Sequence, residues 1–482
     1  MDKQRLNATD VAVLSFPYVL FLVIAIICIN NCFFQDMIQL SSLHASWYYD
    51  NNFGHFLLPN KIDSGHPPMN GMLLASLWKV FGRSLWVGHV FWGVAAFVLI
   101  YQIQRLCRIL FPAGTAHYVA LVVLTDAALL TQSVLVSPDI ILMAAFFTAV
   151  RAILENKRWN LGIAVFFLSL ISMRGMMCTG ALYFFCIYHQ YKIKPFTIKR
   201  LIKASLPFVP GVASAFAFLG YHYYRTGWIG YHDDMPWAVC FQKIESLPEL
   251  VRNAVVMVWR FIDSGRLIIW ALLLYSIYSL YRRRKVRKTV FTNKRLSIIF
   301  LFILMLLISS YSFLLHKMLS APRYLLPHYA VITMITFLLL TEFCSGKKIK
   351  RLAIFSSILL LSSNFVRYPE KVSVGWDTTL SHLPFYALRT QMFDYIRENR
   401  IPANDISAGF GIYGNQNAID LTSSKEMVIK NTTHFGKTGY FIYSNISNLE
   451  DPLIDQLKKG DDYVLVKSFE KGNVFISLYK KR

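Results

Sequence analysis

The sequence predicts an α-helical polytopic membrane protein with a small C-terminal α/β soluble domain, and three observations carry that prediction. Hydrophobic residues make up 55% of the 482-residue chain, charged residues only 16%, and mean hydropathy is +0.42; a soluble globular chain carries roughly 25% charged residues. Apolar runs of about 20 residues, long enough to cross a bilayer at helical rise, recur from Val11 to Val366 and then stop. Between the runs sit the cations: Arg105 with Arg108, Lys157 with Arg158, Lys192 through Lys203, Arg282 to Lys288 with Lys294 and Arg295, and Lys347 to Arg351.

These basic clusters alternate with loops that carry few cations, which is the positive-inside pattern of membrane topology. It accounts for much of the formal charge of +23 and argues against nucleic acid as a partner. The seven cysteines show no paired spacing beyond Cys28 and Cys32, so neither a disulfide framework nor a zinc pattern follows. The N-terminal residues carry Lys3 and Arg5 before the first apolar run, with no small-residue cleavage site after it. This reads as a retained start helix rather than a removed signal.

Taking the basic loops as cytoplasmic gives about eleven spans, at residues 11–30, 85–104, 116–134, 139–154, 160–173, 176–191, 204–222, 263–281, 296–315, 323–343 and 351–366. An odd count places the termini on opposite sides. Residues 1–366 are then the membrane part, with long outer loops 31–84 and 223–262, and residues 367–482 an extracytoplasmic α/β domain. The first loop holds an amphipathic stretch from Met69 to Phe81 opened by Pro67 and Pro68, suited to a helix lying along the interface. Aromatic residues in and beside both loops, among them Trp47, Tyr48, Trp86, Tyr224, Trp228 and Trp237, fit either an interfacial belt or substrate contact. Beyond Arg367 a helical segment at 387–399 is followed by alternating stretches at 439–444, 463–467 and 474–479, which read as strands. Gly409, Gly411 and Gly414 match G-x-G-x-x-G, but no apolar helix follows to seat a pyrophosphate. The sequons at Asn431 and Asn445 decide nothing.

Ionisable groups at a membrane boundary are costly unless partnered or used, and three acids stand out. Asp36 follows the first span, Asp63 opens the segment Asp63-Ser-Gly-His66-Pro67-Pro68, and Asp139 follows Ser137-Pro138 at the mouth of a span. Each alone fits a helix cap; together, with His66 among them, they point to a site. Arg174, Arg225, Lys317 and Arg323 are cations on the same side that would meet an anionic substrate group, Arg174 foremost, with a snorkelling anchor as its structural alternative. Asp233-Asp234 in the second loop would suit a divalent ion or an acceptor, or simple solvation. Asp126, inside a predicted span, needs a partner within the bundle or a proton.

Asp36 in a long first outer loop, Gly65-His66-Pro67-Pro68 opening an interfacial helix, Phe81-Gly82 before the next span, Ser-Pro-Asp139, and Arg323 at the start of a late helix resemble the C-type glycosyltransferases of the protein mannosyltransferase group, which includes the lipid A aminoarabinose transferases and bacterial relatives. The resemblance spans most of residues 11–340. It implies a multi-pass protein of the bacterial plasma (inner) membrane that moves sugar from a polyprenyl-phosphate donor to a lipid, glycan or protein acceptor at the outer face, with inversion. In that group an acid of the first outer loop is the catalytic base or its metal-bound counterpart, a role that falls on Asp36, alone or with Asp63 or Asp139. A divalent metal ion is an open possibility, with Asp36, His66 and Asp139 as candidate ligands. Two departures stand out. Asp36 is followed by Met37 where many members pair two acids, and His66 takes the place of a Lys before the first Pro. His66 could contact phosphate when protonated, ligate a metal, or pack. The competing readings are a transporter or lipid-glycan flippase, in which Asp126 and Arg174 would be intramembrane groups, a glycan polymerase or ligase, and a non-catalytic membrane scaffold whose outer domain binds a partner.

Overall fold

The computed structural model describes residues 7–193, 195, 197–235, 238–282 and 293–482. Lys3, Arg5, Trp237 and the core of the basic block, Arg283 to Lys288, lie outside the described residues. Among the described residues, five helices are long and apolar enough to cross a membrane: Ala8–Cys28, Leu85–Leu110, Ile198–Thr226, Leu296–Leu315 and Pro322–Leu340. The pair Ala113–Leu124 and Ala127–Val134 passes the same test jointly but is bent by 68°. Further helices, including Arg158–Ile171, Met173–Ile193, Leu267–Arg282 and Gly346–Ser362, fill out the bundle. The structure therefore gives a multi-pass apolar bundle without fixing the number of crossings at eleven.

Burial sorts these helices by role. In Ala8–Cys28 only 22% of the apolar window is buried, leaving the rest for lipid, whereas in Pro322–Leu340 89% is buried, which makes it the central post of the bundle. The bundle's interior is a continuous apolar core, including Leu99, Ile103, Val119, Phe146, Phe147, Leu325 and Phe337.

The expected continuous span 116–134 is broken, and the break has a local cause. Thr125 turns its hydroxyl back onto the Leu121 carbonyl at 3.0 Å. Asp126 then leaves the helical region and caps the next helix, accepting from the Ala128 and Leu129 amides at 3.0 and 3.3 Å. Its carboxylate also takes a bidentate pair from Arg266, Nε at 2.6 Å and Nη2 at 2.8 Å. The Arg266 guanidinium stacks 3.6 Å from the centre of the Tyr329 ring. The partner that Asp126 needs inside the bundle is therefore Arg266, and the capped, paired carboxylate answers its desolvation cost structurally.

The amphipathic helix of the first loop is Met69–Phe81, and it ends at Gly82, whose φ of +89° few side-chain-bearing residues adopt. Ahead of it the chain forms a short π-helix, Ile38–Leu43, continuing into His44–Asp50. The residues after 366 fold into the helix Pro384–Glu398 and six strands: β1 Ile406–Ala408, β2 Gly414–Asn415, β3 Val428–Ile429, β4 Tyr440–Ser444, β5 Tyr463–Lys471 and β6 Val474–Lys481. The main sheet runs β1-β4-β6-β5, with β1 parallel to β4 and the other pairs antiparallel, and β2 pairs β3 separately. The predicted strand segments fall on β4, β5 and β6.

This C-terminal unit is bonded to the first loop. Phe33 donates its amide to the Ile419 carbonyl at 2.9 Å, Gln35 Nε2 to Ile446 O at 2.9 Å, and Ser42 Oγ to Ala418 O at 2.5 Å.

Breaking the Asp126–Arg266 pair from one side strands a buried charge, at a cost of about 3–5 kcal/mol. We expect Asp126→Asn to lower the thermal unfolding midpoint of the detergent-purified protein markedly. Asp126→Asn combined with Arg266→Met should recover part of the loss, because no unpaired guanidinium is left; a double variant less stable than the single would show that the pair is not what holds this break.

Candidate functional site

The site is built around one guanidinium. Arg323 stands in the short 3₁₀ turn Pro322–Leu325 at the head of the central helix, 2% exposed. Its Nη2 pairs with Asp36 Oδ2 and its Nη1 with Asp139 Oδ2 at 3.2 Å. Its Nε lies 2.9 Å from Asp377 Oδ2, close enough for an ion pair but without the alignment of a hydrogen bond. Three segments remote in sequence thus place a carboxylate on the same side chain.

Each carboxylate is delivered by local structure. Asp139 sits in the first turn of Pro138–Glu155, where Ser137 caps the helix by accepting from the Asp139 amide at 3.1 Å and Pro138 supplies a preset φ. Ser137 Oγ in turn donates to Gln132 Oε1, and Gln132 Nε2 donates to the Asp377 carbonyl at 2.7 Å, tying two of the acid-bearing segments together. Asp36 follows Gln35, a non-glycine residue held at φ +45°. That strained backbone is fixed by the Gln35–Ile446 bond from the C-terminal unit. Asp377 lies in the 3₁₀ turn Trp376–Thr378 beyond the last helix of the bundle.

The carboxylates differ in access. The Asp139 side chain is 1% exposed and Asp377 8%, while Asp36 keeps 20% of its side chain open. Arg174 adds a second guanidinium, with Nη2 2.6 Å from Asp139 Oδ1 and its plane 4.3 Å from the Tyr324 ring centre, and it is 22% exposed. Asp139 and Asp377 are therefore arranged to hold cations, and Asp36 and Arg174 to meet something arriving. Burial raises the Asp377 carboxyl to about 6, against the opposing pull of Arg323.

Asp139, Arg174, Arg323 and Tyr324 form the polar end of a small pocket of about 60 Å³, whose walls are mostly apolar and include Leu142, Met177, Met305, Ile308, Phe313 and Leu326. The pocket runs between the helices Pro138–Glu155, Met173–Ile193, Asn293–Leu315 and Leu326–Leu340. An apolar slot headed by guanidiniums and carboxylates matches an amphiphile with an anionic head.

The other residues singled out in the sequence lie elsewhere. Asp63 is buried against His222, with Oδ2 to Nε2 at 3.0 Å, and its Oδ1 accepts from the Gly65 amide at 2.8 Å. Its partners lie in and beside the outer loops, whereas Asp36 pairs with Arg323. Gly65, at φ +68°, touches Gly230 so closely that a Cβ would lie 2.9 Å from its backbone, so the two outer loops are in direct contact there. Arg225 is solvent-exposed at the end of Val209–Thr226, and Lys317 pairs with Glu245 at 2.8 Å in an exposed loop. His66 accepts the Met173 amide on Nδ1 at 3.3 Å. Desolvation, together with Arg174, His44 and Arg323, pushes it down to about 3. This environment favours the neutral ring. Among the described residues no group of three His, Cys, Asp or Glu side chains is placed to hold a metal ion. Between Asp36 and Asp139 stands the Arg323 guanidinium, so the donors as arranged do not form a cation cage.

Reading the sequence missed Asp377. It lies past the last apolar run, in a segment assigned wholly to the soluble domain. The available signal was a single acid inside Val372-Ser-Val-Gly-Trp-Asp-Thr-Thr-Leu380, apolar enough to be buried.

No family model and no curated protein matches the chain in sequence. Among solved structures it is similar to ArnT from Cupriavidus metallidurans bound to undecaprenyl phosphate, at 10% identity and a TM-score of 0.49, over 96% of this chain and 98% of that one. The apo state of the same protein gives the same values. It is also similar to the Archaeoglobus fulgidus oligosaccharyltransferase in complex with Zn and sulfate, at 13% identity and a TM-score of 0.39, over 71% of this chain and 52% of that one.

Burial of neutral histidines sets an acid limit on the fold. His44, His66 and His382 are held near 4, 3 and 4 by desolvation. As pH falls below about 6.5 the unfolded chain takes up protons that the folded state refuses, so stability falls with pH. Asp377 acts with the opposite sign: its folded value is raised, so the folded state binds the extra proton and stability falls as pH rises from about 4 to about 6. Asp377→Asn should therefore steepen the loss of thermal stability on acidification across that window, measured against wild type. An unchanged profile would remove Asp377 as a titrating member of the cluster.

Proposed function

We propose that this chain is a glycosyltransferase of the bacterial inner membrane. In this reading it moves a sugar, with inversion, from a polyprenyl-phosphate donor to a hydroxyl of a lipid, glycan or protein acceptor at the extracytoplasmic face, where the C-terminal unit also lies. The observation that carries it is the pairing of an apolar pocket with the Arg323 cluster at its polar end. The apolar walls suit a prenyl chain in chemical kind, and the accessible edge of Arg174 suits its phosphate.

The chemistry follows from the differences in access. The acceptor oxygen attacks the anomeric carbon as the bond from that carbon to the phosphate oxygen breaks. The leaving phosphate needs cations rather than an acid, and Arg174 supplies one, held by Asp139 and stacked on Tyr324. The acceptor's proton needs a positioned carboxylate, and Asp36 is the member of the cluster with an open edge. Arg323, paired with three carboxylates, is a positioning residue that sets the Asp36 geometry. The acceptor reaches this point between the first loop and the C-terminal unit, which are bonded to each other beside Asp36.

The test is release of free polyprenyl phosphate by lipid-reconstituted protein given a panel of polyprenyl-phosphate sugars and acceptors. Asp36→Asn should lower turnover by about 10²- to 10⁴-fold, the usual contribution of general base catalysis, while leaving donor binding intact. Arg174→Gln should instead weaken donor binding by about 10- to 100-fold, the worth of a charged hydrogen bond. Equal release by wild type and Asp36→Asn would sink Asp36 as the base.

A further inference from the structure

A second cleft of about 800 Å³, sharing no lining residue with the first pocket, lies where the C-terminal unit meets the start of Leu85–Leu110. Arg83, Arg389 and Arg397 line it against one carboxylate, Asp420. Arg389 is committed to Asp420 at 3.0 Å and to Gln416 Oε1 at 2.8 Å, and Arg397 pairs with its helical neighbour Asp394. Arg83 has no carboxylate partner among the described residues. It bonds Ser46 Oγ at 3.0 Å and lies 5.5 Å from the Trp78 ring centre.

Several donors at this place are unused. Arg83 Nε, Ser84 Oγ and Arg389 Nε are buried without a hydrogen-bond partner, and Arg389 is only 5% exposed. Ser84 is also the N-cap of the Leu85–Leu110 helix, yet its side chain makes no capping bond, so the first amides of a long helix add their partial positive charge at the same spot. Buried donors are ordinarily satisfied; an excess of guanidinium, a free helix N-terminus and orphaned donors in one cleft all call for an anion. Trp86, 41% exposed in the first turn of a membrane-length helix, sets the cleft at the level where lipid head groups lie.

We propose that this cleft is a binding site for the phosphate of an amphiphile's head group, with Arg83 as its principal contact. The site does not depend on the transfer reaction.

The experiment uses the full chain in detergent, with binding of a short-chain phosphatidic acid followed by native mass spectrometry and glycerol 3-phosphate added as a soluble competitor. Arg83→Gln should weaken binding by about tenfold or more, as loss of a charged hydrogen bond does, and Arg83→Lys by much less. Arg174→Gln should leave it unchanged, which separates this site from the donor phosphate of the proposed reaction. Displacement by glycerol 3-phosphate would show that the phosphate monoester suffices; Arg83-dependent binding without displacement would show that the ligand must be lipid-borne. Equal affinity of wild type and Arg83→Gln, in proteins with equal unfolding midpoints, would overturn the site, as would a loss confined to Arg174→Gln.

Discussion

Much of this structure is arranged around the need to bury one guanidinium. Taking an arginine out of water costs several kcal/mol unless counter-charges and hydrogen bonds meet it with good geometry, and Arg323 is nearly wholly enclosed. The chain meets that demand with carboxylates from a tight turn after the first helix, from the cap of a central helix and from a segment beyond the bundle. Once these are in place, the first loop, the bundle and the C-terminal unit are fixed relative to one another. The accessible edges of Asp36 and Arg174 are what that arrangement leaves for chemistry.

The same logic recurs deeper in the bundle with a different outcome. Asp126 and Arg266 also form a buried ion pair, but there the carboxylate caps a helix and the guanidinium is closed by a ring face. Little is left open, with the Arg266 and Asp126 side chains 4% and 10% exposed. Two buried pairs of the same chemical type thus divide into a joint and a site according to how much of each remains exposed, which argues against an intramembrane relay through Asp126.

Much of this could be read from the chain, and what could not has identifiable causes. Hydropathy and cation placement indicated a helical membrane protein. The Pro-Pro start and the apolar face of Met69–Phe81 gave that helix its bounds, and period-two alternation located β4, β5 and β6. Asp36, Asp139, Arg174 and Arg323 were recognisable because charge at a hydrophobic boundary is expensive. The partner of Asp63, His222, could not be foreseen, because it is set by the contact of two loops far apart in sequence. Asp377 was overlooked because its burial comes from docking between units, which leaves no local periodic trace. The bend at Thr125–Asp126 escaped because apolar content on both sides is continuous and only side-chain bonding breaks the helix.

The position of Asp377 also orders events during synthesis. Arg323 emerges and inserts while one of its carboxylates is still unmade, so the head of the central helix passes through its early life with an incomplete set of counter-charges. Closure waits until the segment after the last bundle helix has been translated and has turned back onto the bundle. Assembly of the site is thereby coupled to arrival of the C-terminal unit, and a nascent chain stalled between these points would hold a membrane bundle with an unfinished centre.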